Sequence, residues 1–157
     1  MMVMKAESNI VLPPVNQVGI VVQDAARTAE YYAATFGIGP FVFHEMNLER
    51  AMLHGQPAPS RLIMALARMG PLEIELIQVV AGGEFYTGFL RDKGEGLHHL
   101  GSYMADLESY DKMLAALARQ GINPTFQYRG RSLRFTYLDT QAAGGVIFEL
   151  INLEGRA

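Results

Sequence analysis

Two stretches of this chain repeat each other, and no other feature of the sequence constrains its fold as strongly. Gln17-Val18-Gly19-Ile20-Val21-Val22-Gln23-Asp24 is followed by AARTAEYYAATFGI, and His99-Leu100-Gly101-Ser102-Tyr103-Met104-Ala105-Asp106 by LESYDKMLAALARQGI. Each is a short apolar run ending in Asp, then a helical pattern, then Gly-Ile. Gln17 and His99 stand eighty-two residues apart, as do Asp24 and Asp106. An Asp at that place can cap a helix by accepting from the free N–H groups of its first turn. Ala29, Tyr32, Ala33 and Phe36 then fall on one helical face, as do Leu107, Tyr110, Leu114 and Leu117 in the second copy. Gly37 and Gly121 sit where a helix ends. Strand–helix units are common, but shared length, cap and closing glycine favour a duplication.

The later part of each copy repeats too. Leu72 to Gln78 (LEIELIQ) resembles Val146 to Asn152 (VIFELIN), with Glu75 and Glu149 seventy-four residues apart. The first copy therefore holds eight more residues between helix and last strand, placed in the loop-like HEMNLERAMLHGQPAPS with its Pro57 and Pro59. Room is left for further strands at roughly Pro40 to Glu45 and Leu62 to Arg68, and again at Thr125 to Tyr128 and Leu133 to Leu138. The result is βαβββ twice, an α+β chain expected to form one domain over residues 1–157. Module one covers about 15–82 and module two about 97–154; the linker, 83–96, has room for a short helix near Phe85 to Arg91.

Composition narrows the function classes. The chain of 157 residues is 50% hydrophobic and 18% charged, with net charge −3 and no cysteine. That charge offers no basic stripe for a nucleic-acid backbone. Without cysteine there is no disulfide, thiolate metal site or thiol nucleophile, so a metal must be held by nitrogen and oxygen. Apolar runs such as Leu62 to Ala67 are far too short for a membrane span. Lys5, Glu7, Ser8 and Asn9 interrupt any leader-like apolar core, so the expectation is a cytoplasmic protein with no membrane partner.

Four polar residues stand inside otherwise apolar strands at repeat-equivalent places: Gln17, Glu75, His99 and Glu149. If the modules pair about a pseudo-twofold axis, the four side chains meet. A carboxylate on a buried strand is costly unless paired or metal-bound. One divalent ion resolves that cost, with Glu75 and Glu149 neutralising it, His99 giving nitrogen and Gln17 a carbonyl oxygen. The mixed set suits Zn, Ni, Co, Mn or Fe(II) and does not choose among them; zinc is taken as the first expectation. Taken singly, a strand Glu most often faces solvent and a strand His or Gln is most often a satisfied polar residue. Four in equivalent places are a different matter.

Other polar residues carry weaker signals. Strand alternation points His98 away from His99, and loop placement leaves His44 and His54 exposed. Tyr103, on the face of His99, can touch a substrate or simply pack. Arg131 and Arg134 can bind an anion or line a solvated edge. No phosphate-loop, dinucleotide or nucleophile-elbow motif is present.

These residues resemble the vicinal oxygen chelate superfamily, which includes glyoxalase I, methylmalonyl-CoA epimerase, extradiol dioxygenases and fosfomycin resistance proteins. The likeness runs from about Val15 to Glu154, and the strings GEGLHHLG and GGVIFELIN are similar to the epimerase and glyoxalase-like branch. It implies a cupped, eight-stranded incomplete barrel around one metal, in a protein that forms homodimers. Animal-type glyoxalase I uses Gln, Glu, His and Glu, the set offered here, but its glutathione contacts fall on Val21, Val79 and Glu95, which cannot make them. Bacterial epimerases carry a carboxylate base on the third strand of module one, and no Asp or Glu occurs between Ala51 and Leu72. Gln17 also replaces the usual first His, and it breaks the two-His, one-carboxylate triad of extradiol dioxygenases. The resemblance thus implies a metal-dependent isomerase or lyase that abstracts a proton next to a carbonyl of a small acyl or hydroxy-carbonyl compound. Glu149 and Glu75 would be the bases, with Tyr103 and Arg134 against the substrate. The alternative is a non-catalytic small-molecule binder of the same fold.

Overall fold

The computed structural model describes residues 8–142 and 144–155; Lys5 and Glu7 lie outside them. Module one begins with strand β1 (Gln17–Val21), helix α1 (Ala25–Phe36) and strand β2 (Val42–Leu48). Two short strands follow, β3 (Met52–Leu53) and β4 (Gln56–Pro57), and then the long hairpin of β5 (Ser60–Met69) and β6 (Leu72–Gly82). Helix α2 (Glu84–Lys93) links to module two, made of β7 (Gly96–Tyr103), α3 (Leu107–Arg119), β8 (Pro124–Arg129), β9 (Leu133–Leu138) and β10 (Ile147–Leu153).

Both helices start as the repeat requires. Asp24 Oδ1 accepts from Arg27 N at 2.9 Å, and Asp106 Oδ1 from Ser109 N at 2.7 Å. Helix α1 ends in a left-handed Gly37, φ 66°, whose N–H donates to Ala33 O while Ile38 N–H donates to Tyr32 O. The buried face of α1 is narrower than expected: Ala25 and Ala29 are buried, whereas Phe36 is 61% exposed and packs edge-on against Tyr31 and Tyr32. In α3, Tyr110 and Leu117 are buried and Leu107 is not.

The strands form one curled mixed sheet in the order β2-β5-β6-β1-β7-β10-β9-β8-β3-β4. Each module contributes four long strands, first strand innermost and parallel to its last strand, and the modules join where β1 and β7 pair antiparallel. This is the pseudo-twofold arrangement that the repeat implies. The strand count differs from the expected eight because the extra residues of module one are not a plain loop. They form β3 and β4, and β3 crosses the molecule to pair with β8, Met52 opposite Gln127.

Side chains alternate across the sheet. Outward residues of β6 (Ile74, Leu76) pack under α1, and Leu150 of β10 packs with Tyr110 and Leu117 of α3. Inward residues form the cup, closed at one end by Tyr86 of α2 among Phe126, Phe135 and Tyr137. Within the described residues no helix is long and apolar enough to cross a membrane.

Candidate functional site

The antiparallel pairing of β1 with β7 sets Gln17 opposite Gly101 and Gly19 opposite His99. The parallel neighbours bring Glu75 beside Gly19 and Glu149 beside Gly101. All four sequence-selected residues therefore project into the cup from its central strands, and all are buried, His99 at 0% exposure.

Their polar atoms converge on one nitrogen. His99 Nε2 lies 3.0 Å from Glu149 Oε2, 3.2 Å from Gln17 Oε1 and 3.4 Å from Glu75 Oε2. The ring N–H is aligned with Gln17 Oε1; Glu149 Oε2, although nearer, makes an ion-pair contact without hydrogen-bond alignment and has no hydrogen bond among the described residues. Burial pushes the imidazole pKa down, but the Glu149 and Glu75 carboxylates outweigh it and hold the group up at about 9. Burial likewise raises the Glu75 carboxyl, with His99 opposing that shift. Without a metal, then, an imidazolium sits between the two carboxylates and offsets part of their charge.

Two glycines make this approach of strands feasible. A Cβ on Gly19 would stand 1.8 Å from His99 Cε1, inside the ring's own space. A Cβ on Gly101 would stand 2.8 Å from Gln17 Oε1 and 3.1 Å from Glu149 Oε2. Each glycine lies two residues after the polar residue of its own strand and clears room for that of the other. The signal was present in the repeat, since Gly19 and Gly101 are also eighty-two residues apart.

His98 corrects the alternation argument. Ile20 pairs with Leu97 and Gly19 with His99, so His98 is the extra residue of a β-bulge. A bulge re-aims its side chains, and both imidazoles turn to the same side, with Nδ1 atoms 3.1 Å apart. Burial, then the charges of His99 and Lys93, hold His98 well below the ordinary histidine range. Neutral His98 accepts from His99 Nδ1–H, which leaves His99 Nε2 to face the three oxygens. Phe85, Phe89 and Tyr137 enclose the His98 ring.

The sequence reading missed Glu73. It shares the inward face of β6 with Glu75, is 7% exposed, and accepts from Gln17 Nε2 at 3.0 Å and from Tyr103 Oη at 2.6 Å. Period two along LEIELIQ is the signal that could have found it. Tyr103 lines the cup. Arg134 does not: it pairs opposite Asn152 and lines a separate surface depression with Arg131 and Asp106. His44, expected to be solvent-facing, is exposed yet also borders the cup, while His54 stands apart from it.

Above the cluster lies a cavity of about 230 Å³ walled by Met46, Leu62, Met64, Leu66, Leu133 and Phe135. A larger depression, about 540 Å³ beside Asp24 and Arg27, holds none of the four convergent residues. The cup face of β5 is thus apolar where bacterial epimerases were expected to carry a base. Val21 and Val79 pack in the core, and Glu95 accepts from Gln23 N at 2.6 Å.

Among the described residues, no group of three or more His, Cys, Asp or Glu side chains is arranged as a ready metal shell, because the oxygens close onto His99 Nε2 instead. The donor set nevertheless fits a divalent cation. Replacing the Nε2 proton by a cation would leave three oxygens and one nitrogen facing it and would engage Glu149 Oε2, which has no hydrogen bond among the described residues.

Comparison with known proteins accords with this architecture. The model of the Glyoxalase/Bleomycin resistance protein/Dioxygenase superfamily matches residues 16–137. Among solved structures, methylmalonyl-CoA epimerase from Mycobacterium tuberculosis is 26% identical, with a TM-score of 0.63, over 94% of this chain and 91% of that one. A methylmalonyl-CoA epimerase bound to methylmalonyl-CoA and ammonium is 24% identical, with a TM-score of 0.66, over 92% of this chain and 97% of that one. A Streptomyces coelicolor epimerase variant bound to 2-nitronate-propionyl-CoA is 24% identical, with a TM-score of 0.65, over 93% of this chain and 100% of that one. No protein of curated function matches the sequence significantly.

Proposed function

Because the chain belongs to the Glyoxalase/Bleomycin resistance protein/Dioxygenase superfamily, we propose that it is a metal-dependent epimerase- or isomerase-like enzyme. Its substrate would be a small acyl or hydroxy-carbonyl compound that loses a proton next to the carbonyl. The observation that carries this reading is the convergence of Gln17, Glu75 and Glu149 oxygens on His99 Nε2 at the base of an apolar cup. The epimerases to which the fold is similar act on an acyl-CoA, which supports the substrate class.

Gln17, Glu75, His99 and Glu149 would hold one divalent ion, zinc being the first choice. Such an ion supplies positive charge to a carbonyl oxygen as negative charge develops there, worth several kcal/mol. The chain's own residues do the rest. The Leu62, Met64 and Leu66 wall excludes water and orients the apolar body of the substrate. Glu149 takes the α-proton and returns it, and Glu75 is its counterpart by pseudo-symmetry. A proton delivered by Glu75 to the opposite face gives epimerisation, and return by Glu149 to the neighbouring carbon gives isomerisation. The same reading takes the chain as a homodimer, with exposed Val42 and Phe43 on edge strand β2 available to a second copy.

One observation favours the rival reading. The His99 imidazolium already pairs with both carboxylates without a metal, as a binding protein would need. Proton exchange separates the two. Incubated in deuterated water with 2-substituted acyl-CoA thioesters and α-hydroxy carbonyl compounds, the wild type should place deuterium at the α-carbon of at least one, and Glu149→Gln should not. Tight binding with no deuterium gained in mass spectra would make the protein a binder.

A further inference from the structure

Gln17 is an amide at a position where only one of its two ends is useful. The ends are nearly equal in size and opposite in hydrogen-bonding sense. Packing does little to choose between them, because the amide lies against Gly101, which has no side chain. We propose that Glu73, together with Tyr103, is a positioning residue that fixes the Gln17 amide so that Oε1, not Nε2, faces His99, Glu75 and Glu149. The inference rests on the metal-site reading above and deepens it.

The geometry supplies the reason. Gln17 and Glu73 are register partners on adjacent parallel strands, so their side chains share one face. A carboxylate only accepts hydrogen bonds, and Glu73 Oε1 takes one from Gln17 Nε2 at 3.0 Å. Tyr103 Oη donates to the same oxygen at 2.6 Å, which leaves its lone pairs for the second amide hydrogen at 3.3 Å. Both amide hydrogens are thereby used. A reversed amide would set its oxygen against the Glu73 carboxylate and turn its hydrogens toward His99, losing these bonds and putting a donor where a ligand must be.

A double-substitution test on the full-length chain separates positioning from mere structural support. Metal-stripped protein is titrated with Co²⁺ and followed by visible absorption and calorimetry. Glu73→Gln should weaken binding about tenfold, since a glutamine at that place can face either end of the Gln17 amide. In a Gln17→Glu background the same change should not weaken binding, because a carboxylate has no wrong way round. Equal losses in both backgrounds would overturn the proposal. A metal-free arm reads the Gln17 side-chain amide protons by ¹H–¹⁵N NMR. They should be protected from solvent exchange in the wild type and exchange at least about tenfold faster in Glu73→Gln; unchanged exchange also overturns it. If the wild type takes up no Co²⁺ while the amide arm succeeds, the metal reading falls and the positioning role stands.

Discussion

In module one the first strand, β1, runs for five residues in a regular burial pattern; in module two its counterpart β7 runs for eight and bulges at His98. Gln17 and His99 occupy the same place in the repeat, yet one brings a neutral amide backed by Glu73 and Tyr103, and the other an imidazole backed by a second imidazole. The outer edges differ as well. Strand β8 of module two is covered by β3, which module one sends across, whereas β2 of module one has no outer strand neighbour among the described residues. The shared plan thus builds the cup, and the departures from symmetry decide what each half brings to it. Module two supplies the only positive charge of the four-residue cluster, and module one the oriented oxygen.

The largest expected effect of this division is on His99. His99→Ala removes the cation from between two buried carboxylates and should cost about 3–5 kcal/mol in the metal-free chain at neutral pH. Gln17→Ala, at the equivalent place, should cost about 1–3 kcal/mol. Denaturant titration of both variants measures the difference, and equal losses would erase the contrast between the modules.

The pH dependence should also belong to module two. The pKa of His99 is raised from 6.5 to about 9 on folding. Its contribution is therefore complete below pH 6.5 and lost as pH rises through about 9, in total about 3 kcal/mol. Melting of the metal-free wild type across that window should show the fall, and His99→Ala should flatten it. Divalent-ion affinity should run the other way, rising with pH as the ring proton is lost.

A smaller effect is expected from the glycine pair. Gly19→Ala meets the His99 ring itself, whereas Gly101→Ala meets the end of the Gln17 side chain. About 3 kcal/mol against about 1 kcal/mol is the expected order, again from denaturant titration. The smallest effects should come from the helix N-caps, where both modules use an Asp side chain. Asp24→Ala and Asp106→Ala should lower the melting temperature slightly and by equal amounts. Unequal drops would mean that the modules differ in their scaffold as well as in their site.

Much of this was legible in the sequence because duplication turns local signals into long-range ones. Once Gln17 is matched with His99 and Glu75 with Glu149, the twofold pairing of modules brings the four together without further information. The helix caps are local and were legible for the same reason. What escaped depends on partners the sequence does not display. The bulge at His98 exists only in the pairing of β7 with β1, and the crossing of β3 to β8 joins residues far apart in the chain. Arg134 faces away from the cup because Phe135 and Leu133 take the inward positions of β9, a choice the alternating pattern permits and Ile151 and Leu153 of β10 enforce. Phe36 stays outside the core although its spacing fits, since the small Ala25 and Ala29 are what let α1 lie close on the sheet.

The central claim is that the four convergent side chains form one divalent-ion site. Elemental analysis of protein purified without chelator tests it most directly. The expected result is about one divalent ion per chain in the wild type, and loss of most of it in His99→Ala and in Glu149→Ala. A wild type with no metal even after incubation with Zn²⁺, Co²⁺, Ni²⁺ or Mn²⁺, or full occupancy retained in both variants, would contradict it.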